Sequence, residues 1–381
     1  MKLNKIKLYY FFSSLFLMFF LYASYFFSFF KLGSDVSDTF QVLFALFFLV
    51  STVFYIDRTK LVNLYKVFLI SAFICFIYLF SVLSSEFYFN SIKSYKFLAV
   101  FLFCGYVGVV ISSNFSIKYL VFSFVITSFV FMVLYVFFGS SISEENSRVV
   151  LGDANPIWVA RVLGLFFIFS SISFMFNKEK KYGFLFMALF SLYLIFLTGS
   201  RGPIFSAFFA LLFLTLFINF SMFKNISFFI VIIFLLVLFI KILGYGDFMD
   251  RVLYSDSSGR DVLYSHALNM FYSNPLGVGL GGYESALTDF SKYPHNIILE
   301  SLVEGGVLFT IVFFYFIYKA LKSSIAVLVL DCNSREKSFL FCIFIYAFMN
   351  SMFSGDLTSP KELYFLAFFF LFKKNSSNKN E

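Results

Sequence analysis

Apolar runs long enough to cross a bilayer recur along almost the whole of this 381-residue chain, and that repetition decides its fold class. Runs such as 8–30, 119–138, 157–176 and 297–318 each match the length a helix needs to cross a hydrocarbon core of about 30 Å. A soluble globule is excluded: with 61% apolar residues, 67 phenylalanines and only 13% charged residues it would expose far too much apolar surface. The phenylalanines are read as a lipid-facing surface, indifferent to which large apolar residue fills it.

Twelve spans fit the pattern, at 8–30, 39–56, 67–83, 97–112, 119–138, 157–176, 183–198, 202–218, 225–243, 297–318, 338–353 and 361–372. The seventh and eighth are separated at Gly199-Ser200-Arg201-Gly202, because their combined run is too long for one crossing. The expected fold is an all-α polytopic membrane protein of about 12 transmembrane helices, one integral membrane domain over 1–381, with a single large external loop between helices 9 and 10. Placing both termini in the cytoplasm puts 18 of the 29 lysines and arginines, but only 5 of the 21 acids, on the inner side. The net charge of +8 is therefore a topology signal, and no nucleic-acid partner is needed to explain it. After nine crossings the long polar interval 244–295 lies outside.

The first run is too long for a signal-peptide core and lacks a small-x-small cleavage site, so it is expected to stay as an anchor. Cys75, Cys104, Cys332 and Cys342 fall in or at the inner side of spans with no metal-type spacing, which supports neither a disulfide framework nor a zinc site.

Three constellations carry chemistry. In Thr198-Gly199-Ser200-Arg201-Gly202-Pro203, turn geometry accounts for the glycines and the proline. It does not account for Arg201, a cation at a helix start on the side where bases are scarce. That position opposes the helix dipole and suits an external anion, for which guanidinium is the preferred bidentate partner.

The second constellation is Arg260 at the head of a short amphipathic helix over 261–272, ended by Asn274-Pro275 and expected to lie flat on the outer surface. Arg260 either meets an anion or forms an ordinary surface ion pair with Asp256 or Asp261. His266, midway along that helix, reads as a surface or packing residue.

The third is Tyr293-Pro294-His295-Asn296, where Pro294 sets the chain direction and Asn296 can cap the first turn of the tenth span. The helix dipole disfavours imidazolium there, so His295 is expected to stay neutral and able to accept a proton from a sugar hydroxyl. The alternative is an interfacial histidine with a satisfied hydrogen bond. Further along, Glu300 and Glu304 share a helix face, and carboxylates in a span face a cavity or a partner. Arg201, Arg260 and Arg161, the last about one turn into the sixth span, are the expected partners.

These pieces, in this order, resemble the O-antigen polymerase and O-antigen ligase superfamily of bacterial inner membranes. The resemblance is dense over 183–306: the Thr198–Gly202 turn, Arg260 with Asn274-Pro275-Leu276-Gly277-Val278-Gly279, and Pro294-His295-Asn296-Ile297-Ile298-Leu299-Glu300 running into Glu304-Gly305-Gly306. The resemblance implies a layout similar to GT-C-type glycosyltransferases. It also implies an inverting transfer, at the periplasmic face of the inner membrane, from an undecaprenyl-diphosphate-linked glycan donor.

Under it, His295, Arg201 and Arg260 are the expected catalytic residues, with Arg161, Asn296, Glu300 and Glu304 binding substrate. Arg201 and Arg260 would neutralise the departing diphosphate. No cofactor or metal is expected, since no Asp-x-Asp pair stands out in the outer loops. A chain-length regulator and a flippase are the protein partners such an enzyme implies. Polymerase is favoured over ligase and over a capsule or exopolysaccharide polymerase. A transporter would place charges at the midplane of interrupted helices, whereas here the charges gather on one outer surface.

Overall fold

The computed structural model describes residues 2–30, 34–53, 58–83, 91–114, 117–141, 149–151, 154–177, 179, 181–218, 231, 260–285, 293–330 and 334–373. Helices account for nearly all of them. In chain order they are α1 (Lys2–Phe29), α2 (Ser34–Val53), α3 (Arg58–Leu83), α4 (Ser91–Asn114), α5 (Ile117–Phe138), α6 (Pro156–Phe176), α7 (Lys181–Leu197) and α8 (Arg201–Thr215). There follow α9 (Arg260–Ser273), the single turn α10 (Gly282–Ser285), α11 (Ile297–Val329), α12 (Arg335–Ser351) and α13 (Lys361–Phe372).

Six of these helices are long and apolar enough to cross a membrane: α2 to α6 and α11. Every expected span except the ninth coincides with a helix; 225–243 lies outside the described residues, as do 244–259 and 286–292 of the expected outer loop.

Two departures from the sequence reading stand out. A two-stranded antiparallel ribbon, β1 (Gly139–Ser141) with β2 (Val149–Leu151), joins α5 to α6, so the chain is not purely helical. The tenth span runs on to Val329 and is broken at Gly306, whose φ of 72° and ψ of −177° interrupt the helix.

The chain divides into two compact units. The first comprises Met1–Ser51, Ser116–Asp256 and Leu328–Tyr346. Its centre is α6, capped by Asn155, whose Oδ1 accepts from the Ile157 amide at 2.9 Å, and opened by Pro156 at the first helical position. Gly164 of α6 leaves room for the ring of Tyr346, whose hydroxyl donates to the Arg161 carbonyl at 3.0 Å.

The second unit comprises Thr52–Phe115, Ser257–Val327 and Ala347–Glu381. Here α4 packs on α3 and α13. Gly105 and Gly108 make this possible: a Cβ on Gly108 would lie 2.6 Å from Phe368 Cβ and 2.9 Å from the Phe365 carbonyl oxygen. Small residues at such a crossing let two backbones approach where lipid gives no hydrophobic drive. The connector before α13 is irregular yet buried, and it satisfies itself: both Asp356 carboxylate oxygens accept from the Thr358 hydroxyl at 2.9 Å. Irregular backbone beside a membrane helix is tolerated only when enclosed in this way.

Candidate active site

The mouth of α11 is built by four residues. Asn296 is its N-cap, with Oδ1 accepting from the amides of Ile298 at 2.9 Å and Leu299 at 3.2 Å, an arrangement worth about 1 kcal/mol. Pro294 is buried, and the half-exposed His295 between them sits at φ 57°. That is the left-handed region, in which a side chain costs about 1–3 kcal/mol unless its surroundings impose it. The His295 ring stands edge-on to Tyr293, centroids 4.6 Å apart. The ring is thus held at the head of a helix, half open to its surroundings.

The break at Gly306 is filled from outside the helix. The amide of Val278 donates to the Val303 carbonyl at 2.8 Å, Gly279 to the Glu304 carbonyl at 2.9 Å, and Val307 to the Pro275 carbonyl at 3.0 Å. Loop 275–279 therefore takes over hydrogen bonds that an unbroken helix would have made with itself, as buried peptide groups require. Only glycine fits on either side. A Cβ on Gly277, at φ 94°, would lie 2.6 Å from the Gly306 nitrogen, and one on Gly306 would collide with the Leu276 carbonyl. The glycine run is consequently a backbone clasp.

The clasp joins α11 to α9. Leu263, Ala267 and Met270 are buried at helical spacing, and Ala267 and Met270 pack with Val278, Tyr283 and Val303. Each large side chain so buried contributes about 2 kcal/mol. The Tyr283 hydroxyl returns to α9, donating to the Leu263 carbonyl at 3.1 Å. Burial, with the charge of Glu300 second, pushes that phenol up to about 12. Arg260 heads α9, half-exposed. His266 is edge-on to Tyr283 at 5.7 Å, with Nε2 buried and lacking a hydrogen-bond partner.

Glu300 and Glu304 are fully buried, and the cation they face corrects the sequence reading. It is not Arg201, Arg260 or Arg161 but Lys93, whose Nζ lies 2.9 Å from Glu300 Oε1 and 2.8 Å from Glu304 Oε1. Both Oε2 atoms lack a hydrogen-bond partner. Removing the lysine would strand two buried carboxylates, a change that typically costs about 3–5 kcal/mol. Lys93 lies in the first turn of α4 and Glu300 in that of α11, so the N-terminal ends of these two helices lie together.

Sequence reasoning missed Lys93, although the signal was present. It is a cation in the first turn of a span, against the helix dipole, the same oddity that singles out Arg201.

Arg201 and Arg161 belong to the first unit. Arg201 begins α8 after a tight turn in which Gly199 takes φ 66° and its amide donates to the Phe196 carbonyl at 2.8 Å. Thr198 closes the turn, its hydroxyl donating to the Ile195 carbonyl at 2.7 Å and accepting from the Ser200 amide at 3.2 Å. Arg161 is half-exposed within α6. The second unit places Glu300 and Glu304 on one short piece of α11, sets Asn296 and His295 at its head, and clasps the Arg260 helix to it.

Comparison with known proteins bears on this same stretch. The O-antigen ligase family matches residues 186–314, about a third of the chain. A Klebsiella pneumoniae protein described as an uncharacterized 49.5 kDa protein in cps region is 29% identical, over 33% of this chain and 35% of its own length. The chain thus spans about a third of the length of that curated relative. Because the family match encloses Arg260, the glycine clasp and His295, and Arg201 of the first unit as well, the chain is similar over these residues to the O-antigen polymerase and ligase superfamily.

Proposed function

We propose that this protein is a membrane glycosyltransferase that joins undecaprenyl-diphosphate-linked oligosaccharide repeat units into polysaccharide at the outer face of the bacterial inner membrane. The carrying observation is that His295 is fixed at the head of α11 by an N-cap and a clasp, inside the segment matching the O-antigen ligase family. In the proposed step the acceptor sugar hydroxyl attacks the anomeric carbon of the donor. The bond from that carbon to the diphosphate oxygen breaks, and undecaprenyl diphosphate leaves with the bonding pair. The hydroxyl proton passes to His295.

Arg201 and Arg260 are assigned to the diphosphate, whose negative charge grows as the bond breaks. Asn296 keeps the histidine in place, and Arg161 is assigned to substrate. The interval 244–295 is taken as the external loop, with a chain-length regulator and a flippase as partners. Glu300 and Glu304 act from behind the site, since full burial leaves no surface for a sugar.

Two observations favour relatives of this reading. The matching family is described by its ligase activity, and the Klebsiella relative is described by a cps, or capsule, region. Gene deletion separates the three. Loss of a polymerase leaves a single repeat unit on the lipopolysaccharide core, whereas loss of a ligase leaves none and accumulates lipid-linked polymer. Loss of a capsule polymerase removes extracellular polymer without changing lipopolysaccharide banding. Purified protein that moves lipid-linked sugar across liposomes without extending it would overturn all three.

A further inference from the structure

The piece of α11 that begins just after His295 is not held in place by the helix it belongs to. Residues 297–305 are cut from the remainder by the Gly306 break, so continuity fixes neither the direction of this short piece nor its rotation. The clasp holds its lower end, through the carbonyls of Val303 and Glu304. Its rotation is held elsewhere. Glu300 and Glu304 stand one turn apart on a single face, and one ammonium, Lys93 Nζ, grips an oxygen of each at 2.9 and 2.8 Å. Two points on one face fix the azimuth of a helix.

Stability does not require this arrangement. Each carboxylate leaves Oε2 without a hydrogen-bond partner, and buried ion pairs are often replaced by well-packed neutral side chains without loss of stability.

We propose that Lys93 is a positioning residue, which fixes the rotation of the short helix through Glu300 and Glu304 and so aims His295 at the acceptor hydroxyl. This rests on the reading of His295 as general base. Lys93 touches no substrate in it; a small rotation of the piece would swing the imidazole away, and misplacements of about 1 Å can cost about 100-fold in rate.

The test uses the full-length protein in vesicles with undecaprenyl-diphosphate-linked repeat units. Lys93→Met alone strands two buried carboxylates and can fail to fold, so the deciding variant is Lys93→Met with Glu300→Gln and Glu304→Gln. It is expected to insert and melt as the parent does and to keep its KM, while kcat falls about 100-fold. An unchanged kcat overturns the proposal, and so does a fall in melting temperature with kcat retained. A second readout needs no activity. In a His266→Gln background His295 is the sole histidine, and diethyl pyrocarbonate should modify it faster once the tie is gone. Equal labelling rates overturn the positioning role. Faster labelling in a protein whose parent extends no donor leaves the tie standing and sinks the polymerase reading instead.

Discussion

Gly277 and Gly306 lie back to back, each occupying the volume in which the other's side chain would stand. Both take positive φ, 94° and 72°, and the peptide groups around them exchange hydrogen bonds between the loop and the helix break. Gly277→Ala or Gly306→Ala is therefore expected to lower stability by about 1–3 kcal/mol from backbone strain alone, and steric conflict with backbone atoms adds to it. Gly183, in α7, has open space around its Cβ position, so Gly183→Ala should be neutral or stabilising by about 0.5–1 kcal/mol. Thermal melts of the three variants in detergent check the contrast; equal melting temperatures would contradict the clasp.

Asn296 offers a finer probe, because its contribution is a pair of hydrogen bonds rather than a volume. Asn296→Ala should lose about 1 kcal/mol and reduce kcat, while Asn296→Asp and Asn296→Ser, which also cap helices, should retain most of both. Initial rates of polymer formation measured beside melting temperatures decide this. Loss of activity in all three variants with stability intact would point to direct substrate contact by the amide.

Tyr283 links burial to an alkaline pH dependence. Its phenol is pushed from 10.0 to about 12, so folding favours the neutral form. The stability this contributes is fully present below pH 10, where the phenol is neutral in folded and unfolded chains alike, and declines as pH rises from 10 through about 12. Tyr283→Phe is expected to cost about 1 kcal/mol at neutral pH, through loss of the bond to the Leu263 carbonyl. It should also flatten the alkaline decline. A melting profile between pH 8 and 12 that matches the parent's would refute the assignment.

How far the site could be read from sequence differs residue by residue. Asn296 as a cap and the turn at Gly199 depend on local chemistry, and local chemistry is written in adjacent letters. The i, i+4 spacing of Glu300 and Glu304 announces a shared partner without naming it. The partner, Lys93, is separated from Glu300 by 207 positions, and nothing in one chain's pattern ties the two together. The clasp was hidden for a different reason. Gly277-Val278-Gly279 and Gly305-Gly306 each read as turn or packing glycines by themselves, and their interlocking is a tertiary fact. The break in α11 was masked because its flanks are apolar enough to continue the span on composition alone.

The α4–α13 crossing carries a prediction about assembly of the second unit. A Cβ on Gly108 meets the Phe369 nitrogen at 2.8 Å and the Phe365 carbonyl oxygen at 2.9 Å, backbone atoms with no freedom to retreat. The three atoms nearest a Cβ on Gly105 all belong to the side chains of Val67 and Phe368. Gly108→Ala should push the helices apart and sharply lower the amount of inserted protein, whereas Gly105→Ala should cost about 1–3 kcal/mol, as overpacking does. Equal membrane levels of the two variants would show that the crossing tolerates a wider separation.

His295 separates stability from activity in a single position. Its φ of 57° is one that glycine adopts freely and histidine only at a cost. His295→Gly should therefore fold at least as well as the parent, gaining up to about 1 kcal/mol from relief of strain against its loss of side-chain contact with Tyr293. His295→Ala keeps the strain and should be the less stable of the two. Both variants should fail to extend lipid-linked repeat units, because neither can take the hydroxyl proton. Paired melting curves and single-turnover extension assays give the answer. A glycine variant that is less stable than the alanine variant would mean that the backbone at His295 is not strained, and retained extension in either would remove the histidine from the chemistry.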